Sequence, residues 1–141
     1  MTATTTVFSN AYVAINSVDV SHLCDSVTLT YNATMLDLTT FGQDTHLFIA
    51  GLKDWTLAIA CKADFSSGGL DSQLFALVGA AAFPIEVRPV NSARASTNPA
   101  YNATAVLKDY APITGKVGDL LPQTVNFVAG GASPTLLRSV A

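Results

Sequence analysis

Apolar and polar positions alternate with a period of two along much of this chain, the signature of strands buried on one face. In "SVTLTY", Val27, Leu29 and Tyr31 share one face and Ser26, Thr28 and Thr30 the other. "WTLAIACKAD" repeats the pattern, with Trp55, Leu57, Ile59 and Cys61 inward and Thr56, Ala58, Ala60 and Lys62 outward. "FPIEVRP" sets Ile85 and Val87 opposite Glu86 and Arg88. "TAVLKDY" and "QTVNFVA" add strands carrying Val106 with Tyr110 and Val125 with Phe127. Near the start, "AYVAI", the turn-forming "NS" and "VDV" read as a tight hairpin.

One segment changes period. In "GGLDSQLFALVGAA", Leu70, Leu74, Leu77 and Val78 recur at helical spacing, which predicts a short amphipathic helix over about residues 71–79. Asp71 suits its N-cap, Leu70 and Phe75 a hydrophobic staple, and Gly79 its stop. The expected core anchors are Trp55, Leu57, Ile59, Leu74, Phe75 and Phe127. Trp55, Tyr31 and Phe127 all fall on apolar strand faces, which favours core packing over an exposed stacking platform for a ligand.

Two stretches lack a steady period, "NATMLDLTTFGQDTH" and "NSARASTNPAYNA". A loop longer than about 12 residues in a compact domain is usually functional or ordered by a partner. The whole predicts a mainly β fold: an antiparallel β-sandwich or barrel with one short flanking helix and a long inter-strand loop. A single domain over residues 1–141 accommodates it.

Composition sharpens this. Half of the residues are hydrophobic and only 12% are charged, roughly half the usual charged share. A lone subunit with so few charges struggles to cover its surface, so burial against other chains is expected. The net charge of −3 argues against capture of nucleic acid, which relies on clustered Lys and Arg. No apolar run reaches the ~20 residues that span a bilayer, and "MTATTTVFSN" lacks the regions of a signal peptide. An intracellular chain without membrane contact is the expectation.

The search for chemistry returns little. "DVSHLCD" gathers Asp19, His22, Cys24 and Asp25, but residues at i and i+2 of a strand supply two ligands where zinc needs four. No Gly-x-Ser-x-Gly elbow occurs, and "GKVGDL" spaces its glycines wrongly for a phosphate loop. Asp37, Asp44, Asp54 and Asp64 lie in or beside turns, where capping and solvation account for them. No catalytic residue, metal ligand or cofactor is assigned. Cys24 and Cys61 could form one disulfide, but nothing in their spacing requires it, and Cys61 continues an apolar face as a buried thiol would.

The ordered set "NAYVAINSVDVSHLCDSVTLTY", "LDLTTFGQDTHLFIAGLKDWTL", "GGLDSQLFALVG", "IEVRP", "SARASTNPAY" and "APITGKVGDL" resembles the major tail tube protein of long-tailed (siphovirus-type) bacteriophages, in the short form of actinobacterial phages. The resemblance runs from about residue 10 to 128 and leaves an N-terminal arm (1–9) and a C-terminal tail (130–141) unmatched. It implies a β-sandwich with a flanking helix that assembles into homohexameric rings, stacked into a hollow tube through which phage DNA passes without specific binding. It further implies location in the virion tail after synthesis in the host cytoplasm, no catalysis, and contacts with tape-measure, terminator and baseplate proteins. By order along the chain, it implies that residues 32–45 are a loop reaching a neighbouring subunit or ring. Its contact residues would be Asn32, Thr34, Leu36, Leu38, Thr39, Phe41, Gln43 and Asp44. Six copies at −3 each would give a ring −18 formal charges, which disfavours gripping phosphate. The rival expectations are another β-sandwich virion component, such as a tail completion or capsid decoration protein, and a soluble ligand-binding sandwich.

Overall fold

The computed structural model describes residues 3 and 5–141; residues 1, 2 and 4 of the expected N-terminal arm lie outside the described residues. Strand β1 (Tyr12–Ile15) turns through Asn16 and Ser17 into β2 (Val18–Asp19). Both turn residues have positive φ, 51° and 66°, the backbone whose twist suits a two-residue hairpin. A 3-10 turn (Ser21–Leu23) leads into β3 (Cys24–Asp37) and then β4 (Phe48–Lys62), the two longest strands. Helix α1 (Leu70–Leu77) follows, then β5 (Phe83–Arg88), β6 (Ala100–Ala111), β7 (Pro122–Ala129) and β8 (Leu137–Ser139).

These strands form one antiparallel sheet in the order β2-β1-β5-β6-β7-β4-β3, with β8 paired to β6. The sheet rolls over its own apolar face, so that Val27 and Leu29 of β3 pack on the same core as Val13 of β1 and Val87 of β5. It does not close into a barrel: β3 ends the ladder on one side and β2 on the other. A groove of about 470 Å³ marks the open seam, lined by Val27, Leu29 and Tyr31 against Val87, Tyr101 and Leu136. Tyr31, expected in the core, is half exposed there because the end strand has no neighbour to cover it.

Inside the roll, Trp55, Leu57, Ile59, Leu74 and Phe127 are almost wholly buried, with Phe83 edge-on to Phe127 at 5.7 Å. The Trp55 indole N–H donates to the Pro134 carbonyl at 2.6 Å, and Leu136 is buried beside it. The unmatched tail is therefore part of the core and adds strand β8.

The helix seats Leu70, Leu74 and Leu77 on the sheet. Phe75 is corrected from core anchor to surface residue, since it is 74% exposed. Helical spacing places it well over 90° from Leu74 and Leu70 taken together, on the outward face, so no staple with Leu70 forms. The N-cap is Gly69 rather than Asp71. Asp71 instead accepts hydrogen bonds from the Tyr110 hydroxyl and the Gln123 amide, tying α1 to β6 and β7. Burial, and then the bond to Asp71, push the Tyr110 phenol above its ordinary pKa.

On the opposite face of the sheet, Glu86 accepts from Arg88 at 2.7 Å and from Arg94 at 3.1 Å, while Arg88 lies 4.2 Å over the Tyr12 ring. Buried Asn98 accepts from the Val90 N–H and donates to the Val90 and Ala93 carbonyls, ordering the stretch after β5 that has no period of its own.

Two outcomes test this packing. Trp55→Ala removes the largest buried side chain and orphans the Pro134 carbonyl, so urea denaturation should register a loss of ~3–5 kcal/mol. Burial raises the Glu86 pKa, but the bonds from Arg94 and Arg88 outweigh it and the net shift is downward from 4.5. A depressed folded pKa stabilises fully above the unfolded value, and that stability fades as pH falls through the folded one. Glu86→Gln should therefore lower the urea midpoint at pH 7, with the gap to wild type narrowing below about pH 4.5.

Candidate assembly surface

The ladder between β4 and β7 covers only Thr56 to Lys62, whereas the β3–β4 ladder runs on to Asp37 and Phe48. Past Trp55 the two strands pair only with each other and project from the roll as an arm. The segment 32–45, expected to be an unpaired loop, is thereby corrected. Asn32, Thr34 and Leu36 lie within β3, and only Leu38, Thr39, Phe41, Gln43 and Asp44 belong to the tip at 38–47.

A β-bulge shapes the arm. Ala33 pairs with Lys53 but Met35 with Ala50, so Gly51 and Leu52 together oppose Thr34. Beyond it, the pair Leu36 and Ile49 shares one face, and Leu38 and Leu47 continue that row through a 2.7 Å backbone hydrogen bond. Met35 with Ala50, and Asp37 with Phe48, form the other face. Apart from Asp37, both faces are thus apolar, and neither is covered: Met35, Leu36, Leu38, Leu47, Phe48 and Ile49 are each about half exposed, and Leu52 reaches 86%. Phe41 at the tip is fully exposed.

The tip is ordered by its own polar groups. Asp37 accepts from the Thr39 N–H at 2.8 Å, and the Thr39 hydroxyl accepts from the Leu47 N–H at 2.9 Å. The Gln43 side chain accepts from the Thr40 N–H at 3.3 Å, and Gly42 takes a φ of 88°. Hydrogen bonds from the Thr39 hydroxyl and then its N–H hold the Asp37 carboxyl below the usual range.

At the far end of the sheet, where Lys62 pairs with Pro122, the connections before α1 and between β6 and β7 expose Phe65, Ile113, Val117 and Leu120. The molecule therefore carries uncovered apolar groups at both ends. Between them, the outward face of β3, β4 and β7 carries Thr28, Thr30, Thr56, Ala58, Ala60, Thr124 and Asn126. Charged groups flank it: Asp25 with Lys62, Asp109 beside Asn126, and Glu86 with its two arginines.

Nothing in these groups assembles a reaction centre. Asp19 is engaged by Ser21 and Asp25 by Lys62 at 2.7 Å, so the "DVSHLCD" cluster does not converge. Among the described residues, no three His, Cys, Asp or Glu side chains could hold a metal ion, and no helix is long and apolar enough to cross a membrane.

No protein-family model and no curated protein matches this sequence. Solved structures do match its fold. A chain of the sheath/tube terminator of the PVC extracellular contractile injection system superposes with a TM-score of 0.72 at 10% identity, over 99% of both chains. A chain of that system's extended sheath-tube complex gives 0.70 at 8% identity, covering 97% of this chain and 93% of the other. A chain from the tail of an empty gene transfer agent particle, resolved with C6 symmetry, gives 0.65 at 9% identity, covering 88% and 92%. At such identities the likeness is one of fold.

Thr39→Val leaves the Leu47 amide without its acceptor. Hydrogen exchange should accelerate at Leu47 and its tip neighbours while the Trp55 region keeps its protection.

Proposed function

We propose that this chain is a tail tube subunit: a structural protein, without a catalytic step, that self-assembles into stacked hexameric rings forming a hollow conduit for DNA. The observation that carries this reading is the arm, a strand pair that bonds only to itself and leaves apolar side chains uncovered on each face. Such a pair is stable in water only as a marginal element, and gains most by laying its faces on another copy. The fold shared with a chain of a sheath-tube complex and with a chain of a C6-symmetric tail supports the same reading. So does the Thr, Ala and Asn stretch of the outward face, where the basic Lys62 is paired with Asp25 and Arg88 and Arg94 with Glu86, leaving no clustered free cations among the described residues to grip a polyanion. The sites in contact would be the arm residues Asn32, Thr34, Leu36, Leu38, Thr39, Phe41, Gln43 and Asp44, and the particle tail the location. Tape-measure, terminator and baseplate proteins would be its further partners.

A second reading, a tail terminator, is favoured by the similarity to the sheath/tube terminator chain. The two differ in what their ends require. A repeating subunit must offer a contact at each end, and a terminator at one. Uncovered apolar groups at both ends favour the tube.

Concentrated purified protein, alone or seeded with a tail initiator, should form rings or long hollow tubes in negative-stain micrographs. Protein that stays monomeric yet halts growth of seeded tubes would establish the terminator instead. Leu36→Asp and Phe41→Asp should leave thermal unfolding nearly unchanged, since neither side chain contacts the core, and abolish tubes. Tubes of normal yield from both variants would remove the arm from the assembly contact.

A further inference from the structure

Cys24 and Cys61 are direct partners across the β3–β4 ladder, at the end away from the arm tip. Both are free thiols; Cys61 is buried and Cys24 half-buried against the same core. They share a face only because of a second β-bulge. Cys24 opposes Cys61 while Ser26 opposes Ala60, so Asp25 is an extra residue in β3. Strict alternation back from the inward Val27 would turn Asp25 toward the core and Cys24 toward solvent. The bulge reverses this: Asp25 is exposed and pairs with Lys62, and Cys24 turns inward to meet Cys61. Directly opposed residues of an antiparallel pair have Cα atoms about 4.5–5.5 Å apart. Disulfides span about 4.4–6.8 Å, so the backbone needs no rearrangement to accept one.

We propose that Cys24 and Cys61 form an intramolecular cross-strand disulfide when the folded subunit meets a disulfide oxidant. With glutathione disulfide, the Cys24 thiolate attacks one sulfur and expels one glutathione thiolate, leaving a mixed disulfide on Cys24. The Cys61 thiol then loses its proton to solvent, attacks the Cys24 sulfur and expels the second glutathione. The protein dithiol is oxidised by two electrons and glutathione disulfide is reduced to two thiols. The order follows from exposure, since Cys24 is the reachable sulfur. Hydrogen bonding to Cys24 and then burial hold the Cys61 pKa well above the ordinary thiol value, so closure should quicken as pH rises. The link would join β3 to β4 below the arm. It stands independently of the tube assignment.

The test treats native protein with glutathione disulfide and follows free thiols and intact mass. Both thiols should disappear together, with the mass of two hydrogens lost and a Cys24–Cys61 linked peptide on digestion. Cys24→Ser should then retain an unreacted Cys61 thiol under the same conditions. A stable glutathione adduct on Cys24, a predominance of intermolecular dimers, or thiols that react only in denaturant would each overturn the proposal. Because every readout is on the folded subunit, failure here leaves tube formation untouched, and absence of tubes leaves this result untouched.

Discussion

The exposed surface of this molecule turns on a mismatch of strand lengths. β3 and β4 run far beyond β7, the only other strand to pair with β4. Where three strands lie side by side, backbone pairing and side-chain burial are satisfied together. Past Trp55 they separate: hydrogen bonds continue between two strands, but no layer remains to cover either face. Each strand there also keeps one edge of N–H and C=O groups without a strand partner, so the molecule is open past Trp55 both in hydrophobic cover and at the edges of its ladder. Below Trp55 the roll has a covered core, while the arm remains open as a surface.

The same mismatch explains what the sequence could and could not reveal. Strands half-covered by the core alternate cleanly, and β4, β5, β7 and the first half of β3 were legible as strands from that alternation, with β1 legible from its hairpin turn. The arm lost its period for two physical reasons. With apolar residues on both faces, "TMLDL" and "HLFIAGL" hold too few polar positions to mark one face as outward. The bulge at Gly51 and Leu52 then shifts the phase midway. Two apolar β-rich runs flanking "TTFGQDT" were the signal of a hairpin, and the aperiodicity disguised it as a loop. Phe75 misled for the opposite reason. Its apolar character matched the helix, but its angular position did not. Asp71 looked like a cap from its place in the chain, while its partners Tyr110 and Gln123 lie far away in sequence.

Bulges recur as the device that sets which side chain goes where. One re-aims the arm and the other exchanges Asp25 for Cys24 on the core face. Neither leaves a mark in composition, because an inserted residue is visible only once the partner strand is known. The candidate surface was thus partly legible as a place, near residues 32–45, and not as a shape.

The bond between the Trp55 indole and the Pro134 carbonyl spans 79 residues. A nascent chain still lacking residues 134–139 would hold that indole without its acceptor, the core without Leu136 and part of the β6 edge without β8. The arm, made far earlier, would meanwhile already be outside the ribosome. Timing is thereby written into the topology: the exposed apolar arm is made well before residues 134–139, which complete the core. Synthesis on crowded polysomes would place many such complete arms side by side while each core still waits for residues 134–139.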